Sequence, residues 1–372
     1  MVQNLKFNKR NNNKIRLAII GGSFDSTIGK THLRSLLSTN KYKVICGCFS
    51  RQKSKNLKNS IVYSLPKSKV YNNIKQLIKL EIDNIDLALV LTPPKNRNEI
   101  YTELVNKNIG IIAEKPFENN LKNAKKSFEI IKNKKIFFAS TYNYLGYPAI
   151  MEIKNLIKKL GKINNFVFEM PQQSSTFYKA AIKKWRTNDG HIPNFHLDLA
   201  SHLLSLVYYF FNEMPKSVNS FENTNKNYIE NVYTWLKFEK FIGQFWFSKN
   251  STGEKNELSI RIYGSKGSIK WKHSQPEELI FSDNRGNKNI INRLSQNTKY
   301  LKNSDLFTYS AGHPGGFLDA FINIYESIAK LFRKEKVEPN ILLNSKTNLD
   351  IIKVLDKIHF SSIKKNWQKV VI

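Results

Sequence analysis

Between residues 15 and 140, short apolar runs alternate with amphipathic stretches, and this alternation constrains the fold more than any other feature of the chain. "KIRLAII", "YKVICGCF", "IDLALVLT", "IGIIA" and "KIFFAS" each read as a strand, and 29–38, 71–80, 97–107 and 120–132 read as helices. Strands apolar on both faces and separated by helical stretches predict a parallel sheet covered on both sides.

After Ser140 the pattern changes. "YPAIMEIKNLIKKLGKI" reads as an amphipathic helix closed by Gly161. "NNFVFEMPQ", "VYTWLKFE", "FIGQFWFS", "LSIRIYGSKGSIKW" and "ELIFSD" are alternating, aromatic-rich strands with short turns. One helix, 195–211, falls between the first two of these strands, and two more are expected at 316–332 and 345–358. Residues 284–312 read as a loop that is ordered only if something holds it. The expected architecture is α/β: a doubly wound parallel Rossmann sheet over 1–140, then an α+β domain over 141–372 with a large, mainly antiparallel open-faced sheet. Two domains also suit 372 residues, 41% of them hydrophobic.

Composition removes some functions. The formal net charge of +31 would suit a nucleic-acid binder, but the basic residues are spread over the whole length in a Lys-, Asn- and Ile-rich background. They read as solvated faces, so no specific nucleic-acid partner is expected. The apolar runs fall far short of the ~20 residues that span a bilayer, and "MVQNLKFNKRNNNK" has no apolar signal segment. The expectation is a cytoplasmic protein without a membrane partner. Cys46 and Cys48 form a lone C-x-C pair, too few ligands for zinc and too few thiols for a disulfide framework. They read as buried free thiols, and no metal site is expected.

Four stretches carry candidate chemistry. In "LAIIGGSFDSTIGKTH", Gly21, Gly22 and Gly29 lie where a strand meets a helix, so a pyrophosphate could approach the helix amino terminus. The spacing is longer than G-x-G-x-x-G, Asp25 would have to point outward, and a Gly-rich turn without a ligand is the other reading. At the end of the next strand, "CFSRQKSK" offers Ser50, Arg51 and Lys53 where cofactors lacking a 2′-phosphate usually meet an acid. NADP is favoured, and NAD stays open. "LTPP" and "AEKP" close two successive parallel strands at the edge where ligands bind in open α/β sheets. Lys115 there would reach the crevice, with a cis Pro116 fixing its direction, and its ammonium could stabilise alkoxide character on a substrate oxygen. In "NFHLDLASHLLSLVYYFF", Asp198 and His202 are four apart on one helix face, an arrangement able to accept a hydroxyl proton; a satisfied structural pair is the alternative. His196 falls on a different face and receives no role.

Together, an N-terminal dinucleotide fold, "EKP" at the end of its fifth strand and an Asp-x-x-x-His helix in a following α+β domain resemble the Gfo/Idh/MocA oxidoreductase family. The resemblance extends over nearly the whole chain, through "TYNYLGYP", "KKWRTN" and "GHPGGFLDAFINIY". It implies that Lys115, Asp198 and His202 are the catalytic residues. Cofactor contacts would come from Gly21, Gly22, Ser23, Ile28, Gly29, His32, Ser50, Arg51, Thr92, Pro93, Glu114 and Lys115. Tyr142, Asn143, Trp185, Arg186 and His313 would line the substrate pocket. The implied activity is hydride transfer between NADP or NAD and a secondary alcohol or ketone of a sugar, cyclitol or nucleotide sugar, in a homodimer or homotetramer. A non-catalytic NAD(P)-binding sensor or partner protein is the alternative. The chain departs from the family pattern at Leu197 and Ala200, where glycines are usual, and at Arg97, where a histidine is common.

Overall fold

The computed structural model describes residues 14–95, 97–173, 191–225 and 228–372. They form two compact units. The first holds a five-stranded sheet in the order β2-β1-β3-β4-β5, with every pairing parallel. Its strands are β1 (Ile15–Gly21), β2 (Tyr42–Cys48), β3 (Leu87–Leu91), β4 (Gly110–Glu114) and β5 (Phe138–Thr141). β3 and β4 are buried at every residue, because helices cover both faces; this is why they read as unbroken apolar runs.

Asparagine, abundant in this chain, ends and begins helices here. α1 (Thr27–Thr39) stops at Asn40 in the left-handed conformation, φ 52°, where asparagine is tolerated better than most residues. Asn73 caps α3 (Ile74–Glu81), and Asn120 caps α5 (Leu121–Asn133), each side chain accepting a backbone N–H of the first turn. α2 (Lys53–Val62) was not expected, since its Lys- and Asn-rich surface hides the periodicity; it is anchored by buried Asn56 and Asn59. α4 (Arg97–Asn106) follows β3. Residues Ala320–Leu349, which include most of the helix α8 (Phe317–Phe332), belong to this first unit, so the chain returns to it after building the second. Lys115 follows β4, the fourth strand of this sheet in chain order, so the expected fifth place is corrected.

The second unit opens with α6 (Pro148–Leu156) and carries a nine-stranded sheet, β13-β12-β11-β10-β6-β9-β8-β7-β14. Only β6 (Ile163–Pro171) and β9 (Ile242–Ser248) pair in parallel; the other pairings are antiparallel. β7 (Ser217–Asn225) and β8 (Tyr228–Lys237) form one end with β14 (Gln368–Lys369), and β10 (Ser259–Gly264), β11 (Gly267–Lys272), β12 (Leu279–Asp283) and β13 (Lys288–Ile291) the other. β7, "SVNSFENTN", has too few apolar residues to announce itself.

Alternation divides this sheet into a buried face and an open one. Val218, Val232, Leu236, Phe168, Phe245 and Phe247 are buried, and Phe221, Tyr233 and Trp235 are exposed on the opposite side. α7 (Asn194–Phe211) is buried on nearly all sides, as its apolar sequence requires. Gly243 faces Phe166 across the parallel pair, and a Cβ there would strike the Phe166 ring.

The segment expected as a loop over 284–312 contains the edge strand β13, and polar anchors hold the rest. Glu152 accepts the backbone N–H groups of Lys299 and Tyr300 at 2.8 and 2.7 Å. Arg293 donates to Glu277 at 2.9 Å and to the carbonyl of His313 at 3.2 Å, with its guanidinium 3.8 Å from the Phe307 ring centre. Among the described residues, no helix is long and apolar enough to cross a membrane. Both cysteines are free; Cys46 is buried as expected, but Cys48 is only half-buried, and desolvation pushes the Cys46 thiol up to about 12 and that of Cys48 up to about 11.

Candidate functional site

In the first unit the candidate groups gather at the carboxyl edge of the parallel sheet. Gly21 and Gly22 leave β1 with φ of 81° and 64°, values that side chains other than glycine's rarely allow. A Cβ on Gly21 would lie 2.8 Å from the Thr92 backbone nitrogen, so glycine also lets the ends of β1 and β3 abut. A Cβ on Gly29 would run into the carbonyls of Gly22 and Ser23. The turn therefore lies directly against the start of α1, which is capped by the Ser26 hydroxyl accepting from Gly29 N at 3.1 Å. Ser23 is tied to α2 through Asn59 at 3.0 Å, Ile28 is partly buried, and Asp25 is exposed to solvent. A glycine turn against a helix amino terminus, with its one acid turned out, fits a pyrophosphate.

The loop after β2 is organised by a residue that the sequence did not single out. The side-chain oxygen of Asn56 accepts from the backbone nitrogens of Phe49 and Ser50 at 3.1 and 2.8 Å, and its amide donates to the carbonyls of Ser50 and Tyr71. Ser50 is half-buried on this loop, and Arg51 is exposed.

Lys115 is partly buried, and its bond to Pro116 is cis. The backbone around it is fastened by Arg97, which is only 2% exposed. The Arg97 guanidinium donates to the carbonyl of Thr92 at 2.9 Å and to the carbonyls of Glu114 and Pro116. One planar, five-donor group thus joins the ends of β3 and β4 on either side of the lysine. Its signal in the sequence was only a departure from a motif.

Glu114 is buried and accepts from the Thr141 hydroxyl; His32 Nε2 lies 3.2 Å from it, and His32 Nδ1 lies 2.6 Å from the Tyr325 hydroxyl. His32 is fully buried, so it bears on the strand end through Glu114. Thr92 is partly buried and Pro93 exposed. Tyr142, which is buried, donates to Asn348 at 3.3 Å, and burial pushes its hydroxyl well above the usual tyrosine range. Asn143 is buried beside it in sequence.

In the second unit, α7 presents Asp198 and His202 one turn apart. Asp198 is paired with Lys249, Nζ to Oδ2 2.7 Å, both side chains about one-third exposed. The same ammonium lies 5.6 Å from the Phe195 ring centre. His202 is 6% exposed and meets the Tyr144 ring edge-on at 5.0 Å. The Tyr144 hydroxyl accepts from Asn256 at 3.1 Å, and burial pushes it well above the usual tyrosine range. Tyr147 and His273 extend this wall, hydroxyl to Nε2 2.9 Å. No local motif marks Lys249 or Tyr144; Tyr144 stands within "TYNYLGYP", one residue after Asn143. Leu197 and Ala200, at the departed glycine positions, are buried in the core. His313 is exposed on the anchored loop. Trp185 and Arg186 lie outside the described residues.

Comparison with known proteins agrees with this anatomy. Residues 15–142 match the NAD-binding Rossmann fold of the Gfo/Idh/MocA oxidoreductase family, and residues 154–339 match that family's C-terminal alpha/beta domain. The chain belongs to the Gfo/Idh/MocA oxidoreductase family, and a nicotinamide cofactor is expected. An uncharacterized Saccharomyces cerevisiae protein, YMR315W, is 26% identical over 296 residues, 78% of this chain and 81% of its own length. Two solved structures share the fold. An inositol dehydrogenase homolog from Azotobacter vinelandii, complexed with NADH and myo-inositol, superposes with a TM-score of 0.85 at 21% identity, over 96% of this chain and 97% of its own. A levoglucosan dehydrogenase in complex with NADH and levoglucosan gives 0.82 at 18% identity, over 97% and 100%.

Proposed function

We propose that the protein is an NAD(P)-dependent dehydrogenase acting on a secondary alcohol of a sugar, cyclitol or nucleotide sugar. The observation that carries this reading is the fastening of Lys115. Burying Arg97 to bond three main-chain carbonyls is a costly way to shape a turn, and it fixes the backbone on both sides of a single lysine. The family membership and the dehydrogenase names of the two structural neighbours support it.

A nicotinamide cofactor, when bound, would supply the hydride acceptor. Lys115 donates a hydrogen bond to the substrate oxygen and stabilises negative charge as it develops there. His202 takes the hydroxyl proton, while Asp198, steadied by Lys249, binds a neighbouring hydroxyl. The alcohol carbon would give up its C–H as hydride to that acceptor and its O–H proton to His202 as the C=O bond forms. Gly21, Gly22, Ser23, Ile28 and Gly29 would hold the pyrophosphate; Thr92, Pro93 and Glu114 would flank the nicotinamide half. His32 would keep Glu114 in place. Ser50 and Arg51 favour a 2′-phosphate, and thus NADP. Tyr142, Asn143, Trp185, Arg186 and His313 are proposed pocket residues. The exposed aromatic ladder Phe221–Tyr233–Trp235 on the open sheet face supports assembly into a dimer or tetramer.

The test is titration of NADPH and NADH by fluorescence, then a turnover screen over sugars and inositols beside Lys115→Ala and His202→Ala. Wild-type turnover, with both variants binding cofactor but falling by a factor of about 100 or more in kcat, is expected. Cofactor binding without turnover of any polyol would favour the sensor reading. No binding of either cofactor at micromolar protein would end the enzyme reading.

A further inference from the structure

His196, Glu222 and His359 come from α7, β7 and the long C-terminal helix α9 (Ser345–Lys364), and they meet on the helix-covered face of the second unit's sheet. Glu222 Oε1 lies 2.9 Å from His196 Nε2 and 3.0 Å from His359 Nδ1. All three donor atoms fall within 4.8 Å of one another. Both imidazole nitrogens lie within 3.0 Å of the same carboxylate oxygen, so the three donor atoms are gathered in one place. Two nitrogens and one carboxylate oxygen are a donor set suited to zinc and its borderline neighbours, and unsuited to calcium or magnesium.

We propose that these three residues form a divalent-metal site that takes Zn²⁺ or Co²⁺, with solvent in the fourth position. Tetrahedral zinc with bonds of about 2.0–2.1 Å sets its donors about 3.3 Å apart; the two Glu–His spacings would open by a few tenths of an ångström, and the two imidazoles, within 4.8 Å of each other, would settle to the same spacing. The inner ligand is rigid: His196 is fully buried and packs edge-on against Phe247 at 5.5 Å. The outer ligand can give way, since the His359 side chain is 22% exposed against 10% for Glu222, and this side offers the metal its path from solvent. Among the described residues it is the one cluster of this kind. Its ligands lie far apart in sequence on three different elements, which is why no ligand spacing appears in the chain. Bound metal would cross-link the first turn of α7, two residues before Asp198, to β7 and α9. The site does not depend on the dehydrogenase reading.

The experiment is equilibrium dialysis of the full chain against Zn²⁺ with metal counting, together with the visible absorption of the Co²⁺ form. The expected result is one metal per chain at micromolar free metal and the intense spectrum of tetrahedral cobalt. His359→Asn and Glu222→Gln, each verified as folded by circular dichroism, should weaken binding at least tenfold. If either variant fails to fold, the wild type decides. Protection of His359 by Zn²⁺ from diethyl pyrocarbonate, read by mass spectrometry, supports the site, and absence of protection overturns it. No stoichiometric metal, an octahedral cobalt spectrum, or unchanged binding in both folded variants also overturns it and leaves the cluster as a hydrogen-bonded clamp.

Discussion

Glu118, three residues after Lys115, is fully buried. Its Oε1 accepts from the Ser127 hydroxyl at 2.8 Å, and among the described residues Oε2 has no hydrogen-bond partner. Burial is the leading cause that pushes this carboxyl up from its ordinary 4.5 to about 8, with Ser127 and then Arg97 pulling the other way. The folded protein therefore holds the acid in its protonated form at neutral pH. The folded state binds the proton more tightly than the unfolded chain, so the contribution to stability is complete below the unfolded value, near 4.5, and is lost as pH rises to about 8. At roughly 1.4 kcal/mol per tenfold in proton affinity, the whole span is at most about 5 kcal/mol, and water penetration and relaxation bring it nearer to 2–3 kcal/mol.

Glu118→Gln keeps the shape of the acid and removes the titration. Between pH 6 and pH 8.5 the variant should gain about 1–2 kcal/mol over the wild type, a relative rise in Tm of about 1–3 °C. Thermal melts of both proteins across this range, at constant ionic strength, measure it. A Tm difference that is flat with pH, or a wild type that gains on the variant as pH rises, would refute the protonated-acid argument.

Arg97→Lys keeps the charge but cannot bond three carbonyls at once; kcat should fall by a factor of about 10–100 while cofactor affinity stays within a few-fold, measured by steady-state kinetics beside fluorescence titration. Arg51→Ala should weaken NADPH binding by about tenfold and leave NADH nearly unchanged, and equal loss for both would remove the 2′-phosphate reading. Lys249→Met removes the ammonium 2.7 Å from Asp198, so KM for the polyol should rise by about tenfold in steady-state kinetics. Because the pair is one-third exposed, the same variant should change stability by less than about 1 kcal/mol in a denaturant melt.

What the sequence announced and what it hid follow one physical division. Strands buried on both faces, such as β3 and β4, must be apolar throughout, and the Asp198–His202 spacing needs only helical periodicity; both are local, and both were legible. α2 and β7 were not, because their positions are held by polar groups acting at a distance: Asn56 and Asn59 for the helix, and partners on both sides for the strand. The same holds around the candidate groups. Lys115 was visible as a lysine in an unusual place, but the reason that it can be held there is Arg97, whose three carbonyl partners come from two strand ends. Asp198 was visible, and Lys249 was not. His196 shows the limit most clearly, since its helix face gave it no role and its two neighbours come from β7 and α9. Local sequence therefore points to the candidate groups, while the residues that hold them are brought there by topology. For this chain the neighbours of the candidate groups, Arg97, Lys249 and Tyr144, stand beside them through contacts that no local spacing announces.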